Sequence, residues 1–345
     1  MTDKSESETS RAPRTQAAGK LFVVLTPPSG LAVAVLHAVQ AMAERALGPV
    51  DLIKLSTIDA LREEMKARKN QHLLLYSDCP APEAADLIRQ AAPPVFVFAD
   101  DPVRVAQSLQ GKLGPDPLAA IRTTALSYAT LHELVLQATQ KLILAPHGWS
   151  ALDAFLSQIA AFFEFPIAAR DIKKIADKFS AREDWADANA ERPTQAAAGS
   201  GIISPFASLL DGKPADKFFW PPALFFGTEP LGSPLAKKID LTGPARPLLY
   251  GPYMHLPVGQ WEVQVRFTVA ENRSGNALLA EWMSGNEMHT SARINALPAA
   301  GQFQFVLPVE IEDPREPLQL RLSMLEGAIE GEFEFHGIEI FRHAN

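Results

Sequence analysis

The sequence predicts two folded units in series: a three-layer α/β domain on a parallel sheet, then an all-β sandwich of jelly-roll type. Three observations predict this. Over residues 20–180, short continuous apolar runs alternate with longer helix-type segments, the signature of βαβ units. Over 246–345 the hydrophobic period becomes two, as half-buried strands require. Between them, 181–245 is rich in Ala, Pro and Gly, which reads as a linker with Gly199-Ser200-Gly201 as its flexible point.

The α/β elements follow in order. Leu21-Phe22-Val23-Val24-Leu25 is apolar at every position, as expected of a strand covered on both faces. Leu31 to Leu47 is helical in character and stops at Gly48-Pro49, a common terminator. Val50 to Leu55 is the second strand, and Ser56 or Thr57 caps a helix over Ile58 to Lys69. His72 to Tyr76 and Val95 to Phe98 are the third and fourth strands, each followed by a helix (Glu83 to Ala91, Val103 to Leu109). Asp116 caps a long helix through Ala119 to Gln140, and Leu142-Ile143-Leu144 is the fifth strand. Ser150 caps Leu152 to Phe163, and Ile167 to Phe179 closes the series.

In the second unit, Trp261, Val263, Val265, Phe267 and Val269 alternate with polar residues, and Leu318, Leu320, Leu322 and Met324 repeat the pattern. Trp261 falls on the apolar face and is expected in the core. In the last strand Phe333 and Phe335 are odd-numbered whereas Ile338 and Ile340 are even. That change of phase predicts a β-bulge at His336-Gly337. About seven strands are expected after residue 246. The run Phe218-Phe219-Trp220 and the pair Phe225-Phe226 are too apolar for a solvated connection and are expected to dock between the domains.

Composition narrows the function classes. With 345 residues there is chain enough for two cores. A net charge of −8 offers no general attraction to nucleic acid or to anionic membranes. Cys79 is the only cysteine, so no intramolecular disulfide forms and nothing points to an oxidising compartment. Leu21 to Ala43 imitates a signal or membrane span, yet Pro27, Pro28 and Gly30 interrupt it and acidic residues precede it. Residues 1–19 read as a disordered polar tail, and a cytoplasmic protein without a membrane span is expected.

The chemistry-bearing segments are two strand-to-helix turns. Thr26-Pro27-Pro28-Ser29-Gly30 opens directly into a helix, where backbone N–H groups and the helix dipole favour a phosphate. A second turn, Ala99-Asp100-Asp101-Pro102, leads into a helix carrying Arg104 and Ser108. Together they resemble the sulfotransferases. That family's first loop, Pro-(Lys/Arg)-Ser-Gly-Thr-Thr, binds the sulfate-bearing phosphate of 3′-phosphoadenosine 5′-phosphosulfate. A later Arg-Asp-Pro, with Ser seven residues after the Asp, holds the 3′-phosphate. Ser29 and Gly30 match the first motif; Asp101, Pro102 and Ser108 match the second. The resemblance extends over residues 20–180 and implies a P-loop fold, with Ser29, Gly30, Arg104 and Ser108 as the cofactor-binding set.

The departures bear on mechanism. Pro28 stands where the family has a cation, Leu31 and Ala32 replace its hydroxyl residues, and Asp100 replaces the arginine. One lost donor in such a site costs about 2.7–4 kcal/mol of barrier, so weak or absent sulfuryl transfer is implied; Lys20 or Arg104 is the available substitute cation. Of His37, His72, His132 and His147, only His147 follows strand five at the functional edge of the sheet, which makes it the candidate base. No metal-ligand spacing is present, and Ser29 and Ser150 lack the context of a hydrolase nucleophile.

In the second unit, Leu249-Tyr250-Gly251-Pro252-Tyr253-Met254-His255-Leu256-Pro257 resembles a segment of β-sandwich modules attached to bacterial glycosyltransferases and surface-polysaccharide proteins. Aromatic faces stack on sugars, which makes Tyr250, Tyr253, His255 and Trp282 the candidate carbohydrate-binding residues. Two functions follow. One is a sulfotransferase-like protein of surface-glycan modification with a degenerate donor site; the other is a non-catalytic glycan- or protein-binding scaffold. A concave, net-positive space between 27–32 and 100–108 favours the first, and a filled or acidic space the second.

Overall fold

The computed structural model describes residues 19–110, 112–114, 116–146, 151–181, 200–213, 215–285 and 287–343. The first half is a five-stranded sheet of order β2-β3-β1-β4-β5, formed by β1 (Leu21–Leu25), β2 (Val50–Lys54), β3 (His72–Ser77), β4 (Pro94–Phe98) and β5 (Gln140–Leu144). Every pairing is parallel. Helices cover both faces, which explains the apolar runs. Phe22, Val24, Phe96 and Phe98 pack with α1 (Gly30–Leu47), α6 (Leu152–Phe162) and α7 (Ala169–Ser180). Val23, Leu25, Val95 and Val97 point the other way, toward α3 (Glu83–Ala91), α4 (Pro102–Gln110) and α5 (Pro117–Gln137). Successive residues of one strand thus bury into opposite layers.

Local signals fall where the side chains can satisfy helix ends. Ser29, Thr57 and Asp116 accept hydrogen bonds from Ala32 N, Ala60 N and Leu118 N, capping α1, α2 (Ile58–Lys66) and α5. Ser150 lies outside the described residues, and α6 begins after Ala151 with no side-chain cap. By length and composition α1 is apolar enough to cross a membrane; half of it is buried in the fold, packed on α6 and α7.

The second half consists of two antiparallel sheets. One has the order β13-β12-β15-β10-β7 (Phe226–Thr228)-β8 (Leu231–Pro234) and the other β14-β11-β16-β6 (Lys217–Trp220), with β9 (Ile239–Asp240) on β16. Seven strands follow residue 246: β10 (Arg246–Met254), β11 (Gly259–Ala270), β12 (Leu278–Ser284), β13 (Glu287–Ile294), β14 (Gly301–Ile311), β15 (Leu318–Met324) and β16 (Glu332–Arg342). The bulge in β16 is where the phase change puts it. Val265 faces Ile338 and Phe267 faces Phe335, so His336 and Gly337 stand opposite Arg266 alone. Trp261 is core, as its alternation predicts.

Residues 217–240, within the stretch read as a linker, supply β6 (Lys217–Trp220), β7 (Phe226–Thr228), β8 (Leu231–Pro234) and β9 (Ile239–Asp240). Phe218 and Trp220 pair with Ile340 and Ile338 and point inward, while Phe219 faces out. Because the outward position is also aromatic, the two-residue period is hidden in Phe-Phe-Trp. Trp220 stacks on Trp282 with ring centroids 5.9 Å apart, and Phe225 meets Phe335 edge-on. Upstream, Gly199 lies outside the described residues and Gly201 sits in a helical turn, α8 (Ser200–Ile203). A 3₁₀ turn (Ser204–Phe206) and α9 (Ala207–Leu210) continue it. Ile202, Phe206, Leu209 and Leu210 bury there, and Phe206 packs on Phe218 at 4.7 Å. One apolar cluster therefore runs from the sheet of the first half into the sandwich.

Candidate functional site

Strands β1 and β4 are parallel neighbours, so the turns that follow them lie side by side at one edge of the sheet. Ser29 is extended (φ −118°, ψ 159°) and caps α1, its Oγ accepting from Ala32 N at 3.0 Å. The same hydroxyl donates to Asp100 Oδ2 at 2.8 Å. Asp100 also accepts from Asp101 N at 2.8 Å and pairs with Arg104 Nε at 3.0 Å. Its carboxylate is fully buried. Burial pushes the carboxyl above its ordinary range, against the pull of Arg104 and Ser29. From α5, the Tyr128 hydroxyl donates to the Asp100 carbonyl.

The space between the two turns is thus bridged, and the bridging group is acidic. The carboxylate of Asp100 takes what a phosphate would need: a hydroxyl at the start of α1, a backbone N–H and the charge of a guanidinium. Of the residues expected to bind cofactor, Ser29 and Arg104 meet on Asp100, and Gly30 is the first residue of α1. Ser108 turns back into its own helix, donating to Val105 O at 2.9 Å. Asp101 caps α4, accepting from Val103 N at 2.8 Å. His147 lies outside the described residues. Sequence reading missed Tyr128; the doubled acid Asp100-Asp101 ahead of a helix was the available signal for a self-satisfied turn.

Two of the four candidate sugar-binding residues are corrected by their burial. Trp282 is completely buried between the sheets against Trp220 and offers no face to a ligand. His255 is 7% exposed and its Nδ1 lies 3.0 Å from Pro314 O. Burial lowers its pKa to about 4. Tyr250 and Tyr253, by contrast, are half-exposed and line a groove of about 610 Å³ together with Thr228, Leu231, Gln319 and Arg321.

Strand register explains that groove. Across the sheet, Phe226, Tyr250, Arg321 and Glu281 are directly paired on β7, β10, β15 and β12, so their side chains share one outer face. A register shift between Pro252 and Met254 brings Tyr253 to that face with φ +63°. Tyr250 and Tyr253 lie 5.6 and 6.4 Å from Phe226, and 6.3 Å from each other. Arg321 is held loosely by Glu281 at 3.8 Å. Phe226 comes from β7 and Gln319 and Arg321 from β15, far from Tyr250 and Tyr253 in sequence, so no local motif announced them. Among the described residues, no group of three or more His, Cys, Asp or Glu side chains could hold a metal ion.

No family model and no curated protein matches this chain. Among solved structures, the first half is similar to mouse sulfotransferase SULT7A1 complexed with PAP. The identity is 18% and the TM-score 0.35, covering 51% of this chain and 68% of that one. The C-terminal third is similar to carbohydrate-binding modules. One is TmCBM61 in complex with β-1,4-galactotriose (13% identity, TM-score 0.25, 31% of this chain and 69% of that one). Another is the module of Cellvibrio mixtus lichenase 5A in complex with cellotriose (14%, 0.19, 31% and 71%). At these identities and scores no residue role passes from those proteins to this chain. The structural likeness is therefore to a sulfotransferase over half the chain and to carbohydrate-binding β-sandwiches over the last third.

Proposed function

We propose that this protein is a glycan-binding protein whose sandwich takes a saccharide in the groove of Tyr250 and Tyr253, and whose α/β half no longer transfers sulfuryl groups. The observation that carries the binding proposal is the aromatic cluster of Phe226, Tyr250 and Tyr253 beside Gln319 and Arg321. Sugar rings present an apolar C–H face and an equator of hydroxyls. Tyrosine rings suit the first, and the guanidinium of Arg321 suits the second.

The companion claim rests on Asp100. A phosphosulfate donor carries several negative charges, and the turn that would receive it already holds a buried carboxylate hydrogen-bonded to Ser29 and ion-paired with Arg104. Binding would have to displace that carboxylate or stack like charge on it. A bacterial surface polysaccharide is the ligand class we propose, and 3′-phosphoadenosine 5′-phosphosulfate has no role in this reading.

Two measurements test the proposal. The intact protein on a glycan array should retain hexose oligosaccharides, and Tyr250→Ala or Tyr253→Ala should abolish retention. A blank array would sink the binding function. Calorimetric titration with 3′-phosphoadenosine 5′-phosphate should give no heat at millimolar nucleotide. Micromolar binding, lost in Ser29→Ala, would instead restore the donor site and the transferase reading.

A further inference from the structure

The groove belongs to the sandwich, yet one of its two tyrosines is held from the other half of the molecule. Arg122, on α5, donates from Nε to Pro252 O at 2.8 Å. Its guanidinium lies over the ring of Tyr253 at 5.6 Å and over that of Phe226 at 5.4 Å, within reach of the attraction between a cation and an aromatic face. Eleven residues on, about three helical turns and so on the same face of α5, Glu133 accepts from Val258 N at 3.1 Å. Both ends of the segment 252–258 are therefore tied to one helix of the α/β half. In its middle, His255 ties it to Pro314 O.

Within that segment Tyr253 has φ +63°. Bulky side chains rarely adopt this conformation, and it persists only when surrounding contacts over-determine it. Arg122 supplies two of those contacts, one on the backbone just before Tyr253 and one on its ring.

We infer that the glycan face is a composite of both halves, with Arg122 as the positioning residue that fixes Tyr253 for the saccharide. The inference rests on the glycan-binding reading above. It gives the α/β half a role that needs no donor site: the half serves as the rigid support of a binding loop. Pre-organisation raises affinity because the loop's ordering is not repeated at each binding event.

Native affinity electrophoresis of the full chain tests this, in gels containing laminarin, xylan, galactan or alginate. Wild type should be retarded by at least one polysaccharide. Arg122→Gln keeps a polar side chain but removes the cation from both rings, and should weaken that retardation constant about tenfold. Arg122→Lys restores a cation and a donor on a flexible stem, and should recover part of the loss. Hydrogen exchange should quicken across 251–258 in the Gln variant and not in the strands of the α/β sheet. If wild type is retarded and both variants match it, the positioning role is overturned while glycan binding stands. Should wild type be retarded by none of the four, the binding reading fails and this inference with it. If the Gln variant does not fold, the Lys variant carries the test: full wild-type retention with unchanged exchange at 251–258 overturns the role.

Discussion

Ser29 and Asp100 are 71 positions apart in sequence and 2.8 Å apart in the fold, joined by a hydrogen bond from hydroxyl to buried carboxylate. The bond closes a place where two adjacent parallel strands could have presented a phosphate to a helix N-terminus. An anion is bound there, and it is the protein's own. The same contact makes the turn structural, since the Ser29 hydroxyl also caps α1.

Removing the carboxylate should therefore unfold more than removing the hydroxyl. Asp100→Ala removes the ion pair with Arg104 together with the hydrogen bonds from Ser29 and from Asp101 N, three contacts of a fully buried carboxylate, and should cost about 3 kcal/mol or more. Ser29→Ala removes the cap and one hydrogen bond, about 1–2 kcal/mol. Urea unfolding of the two single variants and the double variant measures both, and the sum of the singles should exceed the double. Equal losses, or strict additivity, would mean that the two side chains do not act as a unit.

The extent to which this architecture is legible in the sequence depends on range. Caps at Ser29, Thr57 and Asp116 and the bulge in β16 are local, and each is written in a few neighbouring residues. The Ser29–Asp100 contact could not be read that way, because it depends on β1 and β4 being neighbours. The resemblance to a phosphate loop marks Ser29 as a ligand group and Asp100 as a reversed charge, but the hydrogen bond between them is visible only in the fold. In the sandwich, Trp282 is next to Glu281 on β12 and so points to the opposite face, with Leu278 and Ala280. Trp220 on the facing sheet covers it, a contact between distant segments that its aromatic character alone does not announce. Phe226, Tyr250 and Arg321 meet through strand pairing between segments far apart in the chain, a distance over which no periodicity speaks.

Gly337 should tolerate no side chain. Its φ is +89°, and a Cβ there would lie 2.5 Å from the Trp220 carbonyl oxygen on β6. Gly337→Ala combines an unfavourable left-handed conformation, about 1 kcal/mol or more, with a backbone clash that β6 can relieve only by moving off β16. The expected loss is at least about 2 kcal/mol. A fall in thermal midpoint of several degrees checks it, given about 2–4 °C per kcal/mol for a unit of about 150–250 residues. An unchanged midpoint would mean that β6 is not seated as described.

Tyr250 and Trp282 should separate binding from stability. Tyr250 is half-exposed on the outer face, so Tyr250→Ala should remove saccharide retention with a stability change within about 1 kcal/mol. Trp282→Ala deletes a buried ring stacked on Trp220 and should cost about 3–5 kcal/mol. Chemical denaturation alongside the glycan array distinguishes them. If Trp282→Ala left stability intact, its place between the sheets would be wrong.

His255 sets a pH dependence whose sign follows from its burial. In the fold its pKa falls from 6.5 to about 4, first through lost hydration, while the hydrogen bond with Pro314 O opposes the shift in part. Arg122 lowers it further, and Asp313 acts the other way. Between those two values the unfolded chain binds a proton that the folded one refuses, so stability rises with pH across the window. The contribution is complete above about pH 6.5 and is lost progressively toward pH 4, amounting to about 3 kcal/mol. His132, buried and also lowered, adds to the same slope; Glu133, raised by burial, opposes it. Urea unfolding at intervals from pH 7 to pH 4 should show this loss in the wild type. In His255→Gln, which keeps a donor for Pro314 O but does not titrate, the slope should flatten by most of that amount. An unaltered slope would mean that His255 is hydrated in the fold, and that the 252–258 segment is not packed against the 313–316 loop as its contacts require.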